Sequence, residues 1–179
     1  MLRSNPNTNT IEIPGERSKK MHQYFAYGSN IDKEDLDTWC DENNLPKITP
    51  KSVIPVKLLG YRLTFNYFSS TRNCGAANIM EVENGEVYGL LMEIDNDELK
   101  IIKKKEGCPK CYKEIKICVD SFEGQRLGEA ITYKVVKNRE SNCHQPPSKN
   151  YLCLIISSAI KYQFPSFYIE ALKRIETKE

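Results

Sequence analysis

Two cysteines separated by two residues form the most obvious reactive motif of the chain, Cys108-Pro109-Lys110-Cys111. A C-x-x-C pair can supply half of a zinc site or a redox-active dithiol. A closed zinc site needs two further ligands, and the sequence has neither a second C-x-x-C nor an H-x-x-x-H pair. The dipeptide Cys143-His144 would complete a site only if the fold brought it close. A redox pair is expected at the start of a helix, whereas this one follows a predicted helix end, so we interpret it as two thiols in a turn.

The tetrapeptide Tyr27-Gly28-Ser29-Asn30 offers a second kind of chemistry, because it follows a short β-prone run and precedes a predicted helix. Glycine permits close backbone approach, and such a turn can aim several N–H groups at one point. Converging N–H groups bind carboxylates and developing oxyanions. The alternative is an ordinary turn in which Asn30 caps the helix, and the local sequence alone favours that alternative.

Glu106 is a third candidate, and it directly follows the run Lys103-Lys104-Lys105. Lysines complement a helix C-terminus, so the local pattern is typical of a solvated surface glutamate. Other catalytic signatures are missing from the sequence: Ser29 lacks the G-x-S-x-G elbow, and there is no phosphate-binding loop or dinucleotide fingerprint. The sequence therefore predicts neither a metal nor another cofactor.

Several strands are predicted to position these residues. Residues 24–27 are β-prone, residues 53–59 form a second candidate interrupted by Pro55, and the alternation of Leu63, Phe65 and Tyr67 indicates another strand. Further strands are predicted at residues 87–94, 112–119 and 130–136, and the small-residue segment 74–77 leads into residues 78–80.

Four helices complete the predicted pattern. The first follows the turn with Asp32 or Asn30 as its cap, and the second begins at a capping box formed by Asp95 and Glu98. Gly107 suits a left-handed cap after the second helix. The motifs Pro146-Pro147-Ser148 and Pro165-Ser166 open the last two helices. The order indicates a strand-rich α+β fold.

The bulk properties fit a single globular domain of 179 residues. The net charge of +2, from 26 basic and 24 acidic residues, argues against a nucleic-acid partner. The apolar stretch 152–160 contains Ser157 and Ser158 and is far shorter than the roughly 20 residues of a membrane helix.

The seven cysteines and the lack of a signal-peptide pattern predict a reduced, cytoplasmic location. Cys118 and Cys153 lie in apolar runs and are expected to be buried. Residues 1–22 are polar and are predicted to form a flexible tail, with a short strand at residues 11–13 as a weaker alternative. The folded domain is then predicted to span residues 23–179.

Taken together, the segments resemble the gamma-glutamylcyclotransferase family over about residues 23–175. The resemblance rests on the order and spacing of Tyr24-Phe25-Ala26-Tyr27-Gly28-Ser29-Asn30, Leu59-Gly60-Tyr61-Arg62-Leu63, Gly75-Ala76-Ala77-Asn78-Ile79, Gly85-Glu86-Val87-Tyr88-Gly89-Leu90-Leu91, Glu106-Gly107, Tyr112, Tyr133, Pro146-Pro147-Ser148 and residues 151–172. It implies a mixed, barrel-like sheet flanked by helices.

The resemblance also implies roles for individual residues. Glu106 would be the general acid and base. The gamma-glutamyl group would be held by Tyr24, Phe25, Ala26, Tyr27, Gly28, Ser29 and Asn30 through main-chain N–H groups, with Tyr112 and Tyr133 in the pocket wall. The family often has Leu-Asp before the catalytic Glu-Gly and a glycine-containing loop after it. This chain has Ile102-Lys103 and Cys-Pro-Lys-Cys at these places, which bears on substrate identity more than on reaction type.

The implied reaction is closure of a gamma-glutamyl group into 5-oxoproline, in which the substrate's own α-amine attacks its γ-carbonyl. Such a lyase- or acyltransferase-type enzyme of glutathione metabolism would need no cofactor, and its partner would be a small gamma-glutamyl compound. A homodimer is left open. The alternatives are the same chemistry on gamma-glutamyl-amines or on a gamma-glutamyl-protected metabolite, and a non-catalytic binding module of the same fold.

Overall fold

Five strands close into a barrel in the computed structural model, which describes residues 19–178. The strands are β1 (Met21–Ala26), β2 (Ser52–Ser69), β3 (Cys74–Asp95), β4 (Tyr112–Asp120) and β5 (Arg126–Val135). Their order around the barrel is β1-β3-β2-β4-β5. Four pairings are antiparallel, and β5 meets β1 in parallel at Ile131 and Tyr24. The predicted single-domain α+β fold with a mixed, barrel-like sheet is confirmed.

The hairpin of β2 and β3 unites segments that the sequence predicted as separate strands. Residues 53–59 and 63–67 both lie in β2, and residues 74–80 and 87–94 both lie in β3. The pairing register shifts between Leu59 and Tyr61, where Gly60 has a φ of 79°. A left-handed glycine of this kind is typical of a bulge, and in the sequence it resembles the end of a strand.

Strand β1 begins at Met21, so the prediction that order starts at Gln23 was two residues too late. Met21 and His22 pair with Asp95 and Ile94 of β3, and Lys19 forms a salt bridge of 2.7 Å to Asp95. Pairing with a distant strand extends β1 beyond its apolar part, which local composition does not reveal. The candidate strand at residues 11–13 lies outside the described residues.

Four helices pack around the barrel: α1 (Lys33–Glu42), α2 (Asn96–Lys105), α3 (Lys149–Lys161) and α4 (Ser166–Lys173). The capping box of α2 is present, since Asp95 accepts from the N–H of Glu98 at 2.9 Å and Glu98 accepts from the N–H of Asp95 at 2.8 Å. Ser148 caps α3 through the N–H of Tyr151. In the part of the chain that the structure describes, no helix is long and apolar enough to cross a membrane.

The prediction that Cys118 and Cys153 are buried was wrong, because both are exposed. Cys118 lies between the buried residues Ile117 and Val119 on β4, so the alternation of the strand turns it outward. Cys153 is adjacent to buried Leu152 on α3, and the helical step moves it off the buried face. An apolar run in the sequence does not show which of its members faces the core.

Candidate active site

A cavity of about 790 Å³ lies where the end of β1, the C-terminus of α2, the turn between β2 and β3, and the start of α3 meet. Most of the residues proposed from the sequence line it: Tyr24, Tyr27, Gly28, Ser29, Asn30, Glu106, Tyr112 and Tyr133. Phe25 and Ala26 do not. They are buried in the barrel core, where the carbonyl of Phe25 accepts from Thr132 and Ala26 pairs with Leu90.

Glu106 caps the C-terminus of α2 and faces this cavity, so it is not a solvated surface glutamate. Gly107 follows with a φ of 61°, and the N–H of Cys108 returns to the carbonyl of Lys103 at 3.1 Å. This left-handed ending turns the chain sharply after Glu106. Asn30 Nδ2 donates to Glu106 Oε1 at 2.7 Å, which joins two residues that are far apart in the sequence.

The enclosure of its carboxyl raises the pKa of Glu106 to about 7. Burial favours the neutral acid and is the main cause, while Lys105, the hydrogen bond from Asn30 and the charge of Arg72 act in the opposite direction. A carboxyl with this pKa holds and releases a proton near neutral pH, as general acid and base catalysis requires.

Asn30 is a polar residue of the cavity wall, and Asp32 is the residue that caps α1. Asn30 is 4% exposed, and its Nδ2 also donates to the hydroxyl of Tyr24 at 2.9 Å. Its side-chain oxygen Oδ1 is buried and has no hydrogen-bond partner within residues 19–178. A buried acceptor without a partner is costly, so this oxygen is suited to receive a donor from a bound molecule.

The turn that contains Gly28 leaves backbone donors at the cavity. Its first internal hydrogen bond joins the N–H of Ile31 to the carbonyl of Gly28, so the N–H groups of Gly28, Ser29 and Asn30 precede the bonded part of the 3-10 turn. A Cβ at Gly28 would lie 3.2 Å from Ala77 Cβ and 3.5 Å from the hydroxyl of Tyr151. The glycine therefore lets the backbone of the turn pass close to Ala77 and Tyr151, two residues of the cavity wall.

Tyrosines from β4, β5, α3 and the turn after β1 form hydrogen bonds within the cavity wall. Tyr112 donates to the carbonyl of Ala77 at 2.7 Å, and the N–H of Ala77 donates to the hydroxyl of Tyr151 at 3.2 Å. Tyr27 donates to the carbonyl of Tyr133. Burial holds the pKa of Tyr27 and Tyr112 well above the usual 10, so both remain neutral donors.

Sequence reasoning missed a charged cluster in the same wall, composed of Asp35, Arg72 and Lys105. Asp35 Oδ2 lies 2.9 Å from Arg72 Nη2 and 3.0 Å from Lys105 Nζ. Burial alone would raise the pKa of Asp35, but its two cationic neighbours hold it below the usual range. The three residues come from α1, the β2–β3 turn and the end of α2, and no local pattern links them.

The C-x-x-C motif lies in the turn after α2, and both thiols are partly buried. Cys111 belongs to the cavity wall. Among residues 19–178 no three histidine, cysteine or acidic side chains form a group that could hold a metal ion. His144 Nε2 instead lies 3.0 Å from the carbonyl of Glu176. The two thiols thus lie in the turn that follows α2, next to Glu106 in the chain.

Replacing Cys108 and Cys111 together by serine is expected to leave the turnover number within about tenfold of the parent. A tenfold change corresponds to roughly 1.4 kcal/mol of activation free energy. Serine is nearly isosteric, and within residues 19–178 the Glu106 carboxyl is hydrogen-bonded to Asn30 and to neither thiol. Steady-state kinetics and metal analysis of both proteins check this. Stoichiometric zinc in the parent that is lost in the double variant would contradict it.

Comparisons with known proteins show what the chain is similar to. The model of the AIG2-like family matches residues 86–172, which include Glu106, Tyr112 and Tyr133. The chain is 27% identical to the gamma-glutamylcyclotransferase of Homo sapiens over 161 residues, covering 87% of this chain and 79% of that protein. The Bos taurus protein of the same name is 29% identical with the same coverage. The chain is thus similar over most of its length to proteins named gamma-glutamylcyclotransferase.

A solved structure of a gamma-glutamyl cyclotransferase has the same fold. It matches with a TM-score of 0.74 at 24% identity, covering 89% of this chain and 90% of that one. The gamma-glutamylcyclotransferase resemblance and the predicted fold are thus both confirmed. The family model matches residues 86–172 and does not include the Gly28 turn. The hydrogen bond between Asn30 and Glu106 is therefore known from the structure and not from the family match.

Proposed function

We propose that the chain is a gamma-glutamylcyclotransferase that releases 5-oxoproline and an amino acid or amine. The observation that carries this proposal is the Glu106 carboxyl, enclosed in the cavity with a pKa of about 7 and hydrogen-bonded at 2.7 Å to Asn30 of the Gly28 turn. The relatives named above support the same class of reaction. A cytoplasmic location and independence of any added cofactor are part of this proposal.

Proton transfer is the task of Glu106 in this scheme. The α-amine of the substrate is mostly protonated at neutral pH, because an α-amino pKa is about 7.7–8.0. The Glu106 carboxylate removes a proton, and the freed amine nitrogen attacks the γ-carbonyl carbon. As the new C–N bond closes the five-membered ring, the bond to the leaving nitrogen breaks. Two protons pass in total from the ring nitrogen to the leaving nitrogen, and Glu106 ends as it began.

The Gly28 turn has the positioning role. The N–H groups of Gly28, Ser29 and Asn30, which precede the first internal hydrogen bond of the turn, suit a carboxylate or the developing oxyanion, and Asn30 Oδ1 would accept a hydrogen bond from the α-amine beside Glu106. Tyr112 on β4 and Tyr133 on β5 line the same cavity and would contribute to the wall around the bound group. Because the reacting amine and carbonyl belong to one molecule, fixing its folded conformation supplies a large part of the acceleration.

The purified protein is expected to release 5-oxoproline from at least one member of a panel of gamma-glutamyl compounds without any added metal or nucleotide. Chromatographic detection of 5-oxoproline together with the released amine measures the reaction. A panel that gives no 5-oxoproline while the compounds bind would favour the binding-module alternative. Activity that disappears with a chelator and returns with zinc would contradict a reaction that relies on Glu106 alone.

A further inference from the structure

Arg72 contacts four separate parts of the chain around the cavity. It lies in the turn between β2 and β3, where its N–H donates to Ser69 Oγ at 3.3 Å. Its guanidinium donates to both carboxylate oxygens of Asp35 on α1, at 3.4 Å and 2.9 Å, and to Ser29 Oγ at 3.0 Å. The aromatic ring of Tyr151 on α3 lies 4.7 Å from the guanidinium carbon. The planar group is therefore held both at its edge and at its face.

Ser29 is the residue through which Arg72 contacts the Gly28 turn. Within residues 19–178, Ser29 Oγ has Arg72 as its one hydrogen-bond partner. The N–H groups of Gly28, Ser29 and Asn30 precede the first internal hydrogen bond of the turn. Backbone with few hydrogen bonds of its own opens easily. The contact with Arg72 therefore supplies a restraint that the backbone of the turn does not supply itself.

The contacts of Arg72 continue to the helix that carries Glu106. Asp35 Oδ2 accepts from Arg72 and also lies 3.0 Å from Lys105 Nζ. Lys105 is the last residue of α2 and directly precedes Glu106. Only 6% of its side chain is exposed, so solvent weakens its salt bridge to Asp35 little. A continuous path of charged hydrogen bonds thus joins Ser29 to the end of α2.

This path lies beside the direct hydrogen bond of 2.7 Å from Asn30 to Glu106, so the turn and the helix end are joined twice. We infer that Arg72 is a positioning residue, which holds Ser29 and thereby keeps the N–H groups of the Gly28 turn at a fixed distance from Glu106. The inference rests on the proposed function, because it concerns the same reaction. Arg72 acts through Ser29 and need not contact the substrate. A displacement of about 1 Å in such a site can cost about 10²-fold in rate.

The test measures Ser29→Ala, Arg72→Gln and the double variant with gamma-glutamyl-alanine as the substrate. Each single variant is expected to lower kcat/KM by about 10- to 100-fold, the effect of losing a hydrogen bond to a charged group. KM should rise in both, because the turn is proposed to hold the gamma-glutamyl group. The double variant should lose no more than Arg72→Gln alone, since both substitutions remove the same contact.

Two precautions separate positioning from charge and from folding. Kinetics are compared on the high-pH plateau of each variant, where the Glu106 carboxylate is formed, because the charge of Arg72 also lowers the pKa of Glu106. Ser29→Ala keeps that charge and removes one oxygen atom, so it tests the inference even if Arg72→Gln does not fold. Arg62→Gln is the matched control, since Arg62 is exposed on β2 and does not line the cavity. It should leave kcat and KM unchanged.

Three results would overturn the inference. If Ser29→Ala has the kcat and KM of the parent while Arg72→Gln is impaired, Arg72 acts on the substrate or on Glu106 and not through the turn. Losses that multiply in the double variant would show that Ser29 and Arg72 act independently. A loss confined to kcat would show that the turn is not displaced. No 5-oxoproline from any gamma-glutamyl compound with the parent would refute the proposed function itself, and the inference with it.

Discussion

Glu106→Gln is expected to lower kcat for 5-oxoproline release by about 10²–10⁴-fold. The amide keeps the shape of the side chain and can still contact Asn30, but it cannot accept and return a proton. KM should change little, because the Gly28 turn is proposed to hold the gamma-glutamyl group. Glu83→Gln is the matched control, since Glu83 is exposed in the β2–β3 hairpin and does not line the cavity. A fully active Glu106→Gln protein would exclude Glu106 as the base.

The same substitution is expected to change how stability depends on pH. The folded pKa of Glu106 is about 7 and its reference value is 4.5, so the folded state binds more protons between these two pH values. The free energy of unfolding of the parent should therefore fall as the pH rises from about 4.5 to about 7. Glu106→Gln removes this dependence and should be the more stable protein above pH 7, by at most about 3 kcal/mol.

Thermal melting from pH 4 to pH 9 measures this dependence, and kinetics over the same range add a second readout. In the parent, kcat/KM should rise with pH through about 7 as the Glu106 carboxylate forms. This rise of kcat/KM with pH should be absent from the residual activity of Glu106→Gln. If Tm depends on pH in the same way for the parent and for Glu106→Gln, the Glu106 carboxyl is not enclosed as described.

Gly75→Ala is expected to destabilise the protein by more than about 3 kcal/mol, or to prevent folding. A Cβ at Gly75 would lie 1.7 Å from the carbonyl oxygen of Gln145, which belongs to backbone and has little freedom to move. The N–H of Gly75 donates to Pro146 at 2.9 Å, so this contact fixes the segment that leads into α3. The loss should appear as a fall in Tm of roughly 6 °C or more.

Gly60→Ala is the control for Gly75→Ala. Gly60 has a φ of 79°, and a Cβ there would have no atom within 4 Å, so alanine meets backbone strain without a clash. Its cost should be about 1–2 kcal/mol. Equal melting temperatures for Gly75→Ala and the parent would show that the segment around Gln145 does not pack against Gly75 of β3. Loss of Tyr151 from the cavity wall should accompany the destabilisation, since α3 begins just after this segment.

The sequence by itself determined the features that depend on neighbouring residues. The capping box of Asp95 and Glu98 and the cap at Ser148 form within one helical turn, so their spacing is enough to predict them. The order of motifs also indicated the family and the barrel, and it singled out Glu106 and the Gly28 turn as candidates. Local pattern alone still favoured an ordinary turn and a surface glutamate at these two places.

Only the tertiary structure decided what depends on residues far apart in the chain. Closure of the barrel brings Asn30 to Glu106, turns Cys118 outward and keeps Phe25 in the core instead of the cavity. It also assembles Asp35, Arg72 and Lys105 from three separate elements. Salt bridges and burial depend on where residues lie in the folded protein. Burial is the main cause of the raised pKa of Glu106. A sequence records the residue types of such a site but not the distances that give them their chemistry.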